Sequence, residues 1–176
     1  MAHFAVIAIG SDRPGIVAAL TGALYELGGN LEDVDSSILR GHFAIMLVVD
    51  APDGLEGSAL ADALRQAAEP LGVSVTVRDV EAGKPGRPGA THVLVAYASD
   101  RPGIVARMTS LLATRGVNIT DLSCRLTAED PPVYALVAEV ALPEGVEAEA
   151  LGEELAGIGR ELGVDVTFRP LEADTL

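Results

Sequence analysis

The chain has 176 residues, with 12 Lys and Arg against 26 Asp and Glu, for a formal net charge of −14. That balance argues against direct binding to nucleic acid, which needs a basic face, and against a polybasic membrane contact. Apolar residues make up 49% of the chain, enough to bury a core, while 3% aromatic content and the absence of Trp leave no stacking platform for single-stranded nucleic acid.

The first apolar run, His3 to Ile9, has the continuous pattern of a strand buried on both faces. After the turn Ser11-Asp12-Arg13-Pro14-Gly15, Pro14 opens a predicted helix. Ile16, Val17, Leu20, Leu24 and Leu27 share one face of it, and Gly28-Gly29 end it. In the next strand Val34, Ser36 and Ile38 share a face, and Phe43 to Val49 form another apolar strand. Leu60, Leu64, Ala67 and Leu71 mark a second helix. The last strand alternates Val73, Val75 and Val77 with Ser74, Thr76 and Arg78. Glu81 to Ala90, with three Gly and two Pro, reads as a linker.

The whole pattern then repeats. Ser11-Asp-Arg-Pro-Gly-Ile-Val-Ala18 recurs without a change as Ser99-Asp-Arg-Pro-Gly-Ile-Val-Ala106, at an offset of 88. Gly28, Asn30 and Asp33 recur as Gly116, Asn118 and Asp121. Later the offset is 91: Leu60, Leu64 and Leu71 match Leu151, Leu155 and Leu162, and Val73, Val75 and Arg78 match Val164, Val166 and Arg169. The extra three residues fall near Ala128 to Pro132, read as a lengthened turn. The second set of predicted elements is a strand from His92 to Ala98, a helix from Pro102 to Gly116, and a strand with Leu122, Cys124 and Leu126 on one face. A strand from Tyr134 to Leu142, a helix with Leu151, Leu155, Ile158 and Leu162, and a strand alternating Val164, Val166 and Phe168 complete it. Residues 1–80 are thus a first domain, 81–90 a linker and 91–176 a second domain. Each has the order β-α-β-β-α-β. The expected class is α+β: two ferredoxin-like domains, each a four-stranded antiparallel sheet with both helices on one face. The charge is shared, with 4 basic and 11 acidic residues in 1–80 and 6 and 14 in 91–176.

The turns after the two first strands are the places for chemistry. A helix N-terminus offers unpaired N–H groups and a positive dipole end, which welcome an anion. Asp12 and Asp100 are N-caps or lie just outside the cap. Gly15 and Gly103 remove a side chain where a ligand would approach the backbone. A capped helix start without a ligand satisfies the same residues. Asn30 and Asn118 begin second strands; their amides suit the charged groups of an amino acid, and Asn equally suits a left-handed turn. His3 and His92 begin corresponding strands and read as packing or solvent contacts, and His42 sits at a turn with Gly41. Cys124, the only cysteine, corresponds to Ser36 and is expected as a small buried residue. The run Glu147, Glu149, Glu153 and Glu154 reads as a solvated helix face. No metal-ligand spacing, phosphate-binding glycine loop or nucleophile elbow occurs, so no catalytic residue, metal or cofactor is expected. The N-terminus lacks a signal-peptide pattern, and no apolar run reaches the roughly 18 residues of a membrane span, which together read as cytoplasmic.

The β-α-β-β-α-β unit, with Asp-Arg-Pro-Gly-Ile-Val at its first turn and Gly-x-Asn about a dozen residues later, resembles the ACT domain. The resemblance covers residues 2–80 and 90–171. ACT domains are small regulatory modules that mostly bind amino acids. A chain of two such units looks like the glycine cleavage system transcriptional repressor family. The resemblance implies a ligand where two domains meet, against Ser11, Asp12, Arg13, Pro14, Gly15 and Ile16, or Ser99, Asp100, Arg101, Pro102, Gly103 and Ile104. It implies contributions from the start of the second strand, Asn30 and Leu31 or Asn118 and Ile119. Asp12 or Asp100 would pair the ligand ammonium, and helix N–H groups its carboxylate. Glycine or serine is the ligand the subgroup implies; a regulatory protein partner and a homodimer are implied as well. Gly29 in the first copy is Val117 in the second, so the two sites are expected to differ if the backbone there is unusual.

The leading expectation is therefore a non-enzymatic amino-acid sensor acting on a partner protein. The alternative is a ligand-independent interaction scaffold. A remote third is an acylphosphatase-like enzyme of the same topology, for which Arg13 and Asn30 would be the active pair.

Overall fold

The computed structural model describes residues 2–81, 89–99, 102–127 and 133–171. The first half runs β1 (Ala2–Ser11), α1 (Ile16–Glu26), β2 (Asn30–Leu39), β3 (His42–Ala51), α2 (Gly57–Ala68) and β4 (Val73–Val80). The second runs β5 (His92–Ala98), α3 (Ile104–Thr114), β6 (Asn118–Leu126), β7 (Tyr134–Ala141), α4 (Ala148–Leu162) and β8 (Asp165–Pro170). The chain divides into two compact units, Met1–Pro85 and Gly86–Leu176. Each contains one four-stranded antiparallel sheet, in the orders β2-β3-β1-β4 and β6-β7-β5-β8. The ferredoxin-like class is as expected. Most of the expected linker (82–88) and all of the expected lengthened turn (128–132) lie outside the described residues.

Strand alternation puts the core on one face of each sheet. In the first unit Phe4, Val6 and Ala8 of β1 join Phe43, Ile45, Leu47 and Val49 of β3. Ile16, Leu20 and Leu24 of α1 and Leu60, Leu64 and Ala68 of α2 pack against them; Ala68 takes the buried place expected of Ala67, and Val17, expected on the core face, is exposed. Leu94, Ala96, Leu136, Ala138 and Val140 do the same in the second unit with Ile104, Met108, Leu112, Leu151 and Leu155. Two ion pairs add to the α3–α4 contact: Arg107 with Glu161 at 2.6 Å and Arg115 with Glu154 at 2.5 Å. Hydrogen bonding to Glu154 holds the Arg115 pKa above its ordinary value.

Both first helices end alike. Gly28 and Gly116 adopt φ of +74° and +69°. The next N–H reaches back five residues, from Gly29 to the Leu24 carbonyl and from Val117 to the Leu112 carbonyl, at 2.9 Å each. This is the Schellman arrangement. The left-handed backbone belongs to Gly28 and Gly116, not to Gly29, so Val117 meets no conformational penalty. It is buried and joins the second core. The expected conformational difference between the two Asn turns is therefore absent.

The edge strands depart from the sequence reading. Val34, Ser36 and Ile38 pair with the core residues Leu47, Ile45 and Phe43 and so face the helix side. Yet Val34 is 47% exposed and Ile38 58%, while Leu47 is fully buried. The cover given by the helices ends between β3 and β2. The same holds for β6, where Leu122 and Leu126 are exposed. Cys124 pairs with the buried Leu136 but is itself exposed, a correction of the expected buried thiol. Periodicity identified its face; the width of the sheet against that of two helices left it uncovered.

Candidate functional site

The loop after β1 is shaped by glycine. Ser11, Asp12, Arg13 and Pro14 are exposed, and the helix starts at Ile16 with Gly15 as its N-cap, at φ +98°. Gly103 repeats this at φ +99° before Ile104. Pro14 and Pro102 thus precede the helices rather than open them, and Asp12 lies outside the cap. A Cβ on Gly15 or Gly103 would meet nothing within 4 Å. The glycines serve the left-handed backbone, not a need for empty space. Among the described residues neither helix has a side-chain cap hydrogen bond, so no side chain of these residues occupies the first-turn N–H groups. Ile16 and Ile104 are buried to 2% exposure, so any ligand there meets their backbone and not their side chains. Asp100 and Arg101 lie outside the described residues, while Ser99, Pro102 and Gly103 are exposed.

The Asp12 N–H donates to the Gly41 carbonyl at 2.8 Å, which ties this loop to the β2–β3 hairpin turn. That turn holds Arg40 at φ +48° beside Gly41 at φ +79°, the left-handed pair that a two-residue hairpin demands. Arg13, Arg40 and His42 therefore come to one end of the first sheet, together with the positive end of α1. Composition did not reveal this basic end within an acidic unit; it arises from the hairpin folding back beside the loop.

Asn30 and Leu31 lie at the other end. Ser11 pairs with His42, whereas Asn30 pairs with Asp50 eight residues further along β3. At ~3.3 Å per residue the two parts of the expected site stand about 26 Å apart. In the second unit Ala98 pairs with Tyr134 and Asn118 with Ala141, which gives the same separation of ends. Within one unit the residues expected to share a ligand are not brought together. The acylphosphatase pairing of Arg13 with Asn30 fails for the same reason.

Acidic groups collect at the Asn30 end. The His3 Nδ1 lies 3.2 Å from Glu32 Oε2, and its Nε2 lies 3.9 Å from Asp50 Oδ1. This Asp50 oxygen is buried and has no hydrogen-bond partner among the described residues. In the second unit Thr91 stands at the position of His3 under the 88-residue offset, and its hydroxyl bonds the Val140 carbonyl and the Leu142 N–H. His92 instead faces the helix side and stacks on Phe168, with ring centroids 5.1 Å apart. The two histidines that begin matching strands thus have unlike surroundings. One register step separates them, and one step reverses the face.

Two open grooves lie elsewhere. One of about 820 Å³ is lined by Arg65, Gln66, Glu69 and residues 72–75, and one of about 570 Å³ by Tyr97, Ala98, Val133 and the turn from α4 to β8. Neither includes an expected site residue. Among the described residues no group of His, Cys, Asp and Glu is arranged to hold a metal ion, and no helix is long and apolar enough to cross a membrane.

Comparison with known proteins gives the architecture a family. The ACT domain model matches residues 3–78 and residues 92–149. The chain is 30% identical over 162 residues to the glycine cleavage system transcriptional repressor of Escherichia coli, covering 88% of this chain and 82% of that protein. It is 29% identical over 140 residues to a phosphoserine phosphatase of Mycobacterium tuberculosis, but spans 33% of that enzyme's length. A crystal structure of an unknown protein from Galdieria sulphuraria aligns with a TM-score of 0.81 at 26% identity, over 97% of this chain and 98% of that one. Two matching loops, two matching sheets and these likenesses agree: the chain belongs to the ACT-domain family, with two ACT domains in tandem, and groups with the glycine cleavage system transcriptional repressor.

Proposed function

We propose that the chain is a non-enzymatic regulatory protein that binds an amino acid and changes its affinity for a partner protein. The observation that carries this reading is the left-handed glycine that caps α1 and α3 alike, Gly15 and Gly103, after the same Ser-Asp-Arg-Pro sequence, within a family of amino-acid-binding regulators. First-turn N–H groups suit a carboxylate. The exposed Asp12 suits an ammonium, and Asn30 and Asn118 supply mixed donors and acceptors. Because loop and Asn stand at opposite ends of one sheet, a complete site takes its loop from one ACT unit and its Asn from another. An antiparallel pairing of two edge strands does this, since it sets the start of one strand beside the end of its neighbour. Glycine or serine is the ligand proposed, on the strength of the repressor likeness. The ligand acts by binding one arrangement of the units more tightly than another. With a net charge of −7 on residues 1–80 and −8 on residues 91–176, the output is proposed to pass through a protein and not through direct DNA contact.

Thermal unfolding with each of the twenty amino acids tests the reading. A ligand at a hundred times its dissociation constant stabilises by about 2.7 kcal/mol, which raises Tm by several degrees. Asp12→Ala with Asp100→Ala is expected to weaken that ligand about tenfold or more, with Tm unchanged in its absence, because Asp12 is an exposed loop residue. If no amino acid shifts Tm, the sensor reading fails. The exposed apolar rows on β2 and β6 favour a second reading, a scaffold, which predicts partner binding indifferent to amino acids.

A further inference from the structure

We propose that the first ACT unit takes an amino acid whose side chain carries an oxyanion, a carboxylate or a phosphate, and that Arg40 holds that group. This rests on the sensor reading and gives the two units different ligands, leaving the small neutral amino acid to the second. Among the described residues nine glycines have positive φ, and one residue that is not glycine joins them, Arg40 at +48°. The first place of a two-residue hairpin turn favours Gly, Asn or Asp, so an arginine there costs stability that glycine would not. Backbone strain of this kind is kept where a ligand is clamped.

The hairpin sets this residue beside the loop that opens α1. The Asp12 N–H donates to the Gly41 carbonyl at 2.8 Å, and Ser11 pairs with His42. Arg13 follows Asp12 and Arg40 precedes Gly41, so both lie at that contact. Both are exposed, and neither has an ion-pair partner among the described residues, although carboxylates outnumber Lys and Arg by 26 to 12 in the chain. Arg65, Arg107 and Arg115, by contrast, each hold a carboxylate. Glu32, Asp50 and Asp79 belong to the opposite end of the sheet, where His3 pairs with Asp50 and Val80. At about 26 Å they stand roughly three Debye lengths away in physiological salt, so the acidic net charge does not cancel the field at Arg40. An arginine fork takes a carboxylate or phosphate through two parallel hydrogen bonds, and the His42 ring carries a donor in either protonation state. The second unit lacks this arrangement. Between Leu126 and Tyr134 it has Glu129 and Asp130 and no basic residue, which disfavours an anionic side chain.

Calorimetry on the full chain tests this, with aspartate, glutamate and O-phosphoserine set against asparagine, glutamine and serine. At least one anionic ligand is expected to bind about tenfold more tightly than its neutral counterpart, with an affinity that falls as salt rises. Whether phosphoserine or a dicarboxylic amino acid binds more tightly identifies the oxyanion that the site takes. Arg40→Gly is expected to raise Tm in the absence of ligand, by relieving the left-handed backbone, and to weaken the anionic ligand about tenfold. A merely structural role for Arg40 moves Tm alone. Arg40→Lys keeps the charge without the fork and is expected to fall between the two in affinity. Binding of neutral amino acids only, or an Arg40→Gly protein that binds the anionic ligand as tightly as the unmodified chain, overturns this proposal and leaves the sensor reading standing. Binding of no amino acid at all overturns both.

Discussion

Leu47→Ala is expected to cost the first unit about 2–5 kcal/mol, most of its margin if it has the stability usual for a small domain. Leu47 is fully buried on β3, between Val6 of β1 and Val34 of β2 in the strand register. It belongs to the cluster that joins the sheet to α1 and α2. Truncation removes its transfer energy and leaves a cavity that strands fixed on both sides relax only partly to fill. Urea denaturation followed by circular dichroism measures the loss. Leu39→Ala is the control: Leu39 is 71% exposed at the hairpin, and its replacement is expected to change stability by no more than about 0.5 kcal/mol.

Gly159→Ala is expected to destabilise the second unit by about 1–3 kcal/mol, against the sign that helix propensity alone predicts. Gly159 is buried in α4, and a Cβ there would lie 2.7 Å from the Val164 carbonyl oxygen and 2.6 Å from a Val166 methyl. A backbone oxygen cannot swing aside as a side-chain tip can, so the helix must move off β8. The first unit has Ala68 at the matching position, buried at 1% exposure, with its helix set to admit the methyl. Gly22→Ala, in the exposed part of α1 with nothing within 4 Å, is expected to stabilise by about 0.5–1 kcal/mol. Opposite shifts in Tm for two Gly→Ala changes in helices separate the clash from propensity.

These cases show where the residue pattern is sufficient. The 3.6-residue spacing of Ile16, Leu20 and Leu24, and the alternation of Val73 and Val75, located helices, strands and core faces, because burial acts residue by residue along a regular element. Helix starts were less legible. Pro14 and Asp12 are sound opening residues by type, yet Gly15, free to take φ +98°, carries the turn and delays the helix to Ile16. Cys124 has a core-facing position in the alternation and is nonetheless exposed, because alternation tells which face a residue is on and not whether anything covers that face. The candidate site divides similarly. Its loop was legible as a motif, and its basic neighbours Arg40 and His42 were not, since a hairpin some thirty residues away brings them there.

Duplication, fold class and the glycine-bearing loops are written in the linear order of residues, because each depends on local spacing repeated at a fixed offset. The separation of the loop from Asn30 by the length of a strand is decided only by pairing, which sets Ser11 beside His42 and Asn30 beside Asp50. Neighbours in a motif become distant when an antiparallel strand carries them to opposite ends of a sheet. A ligand the size of an amino acid does not reach both within one unit.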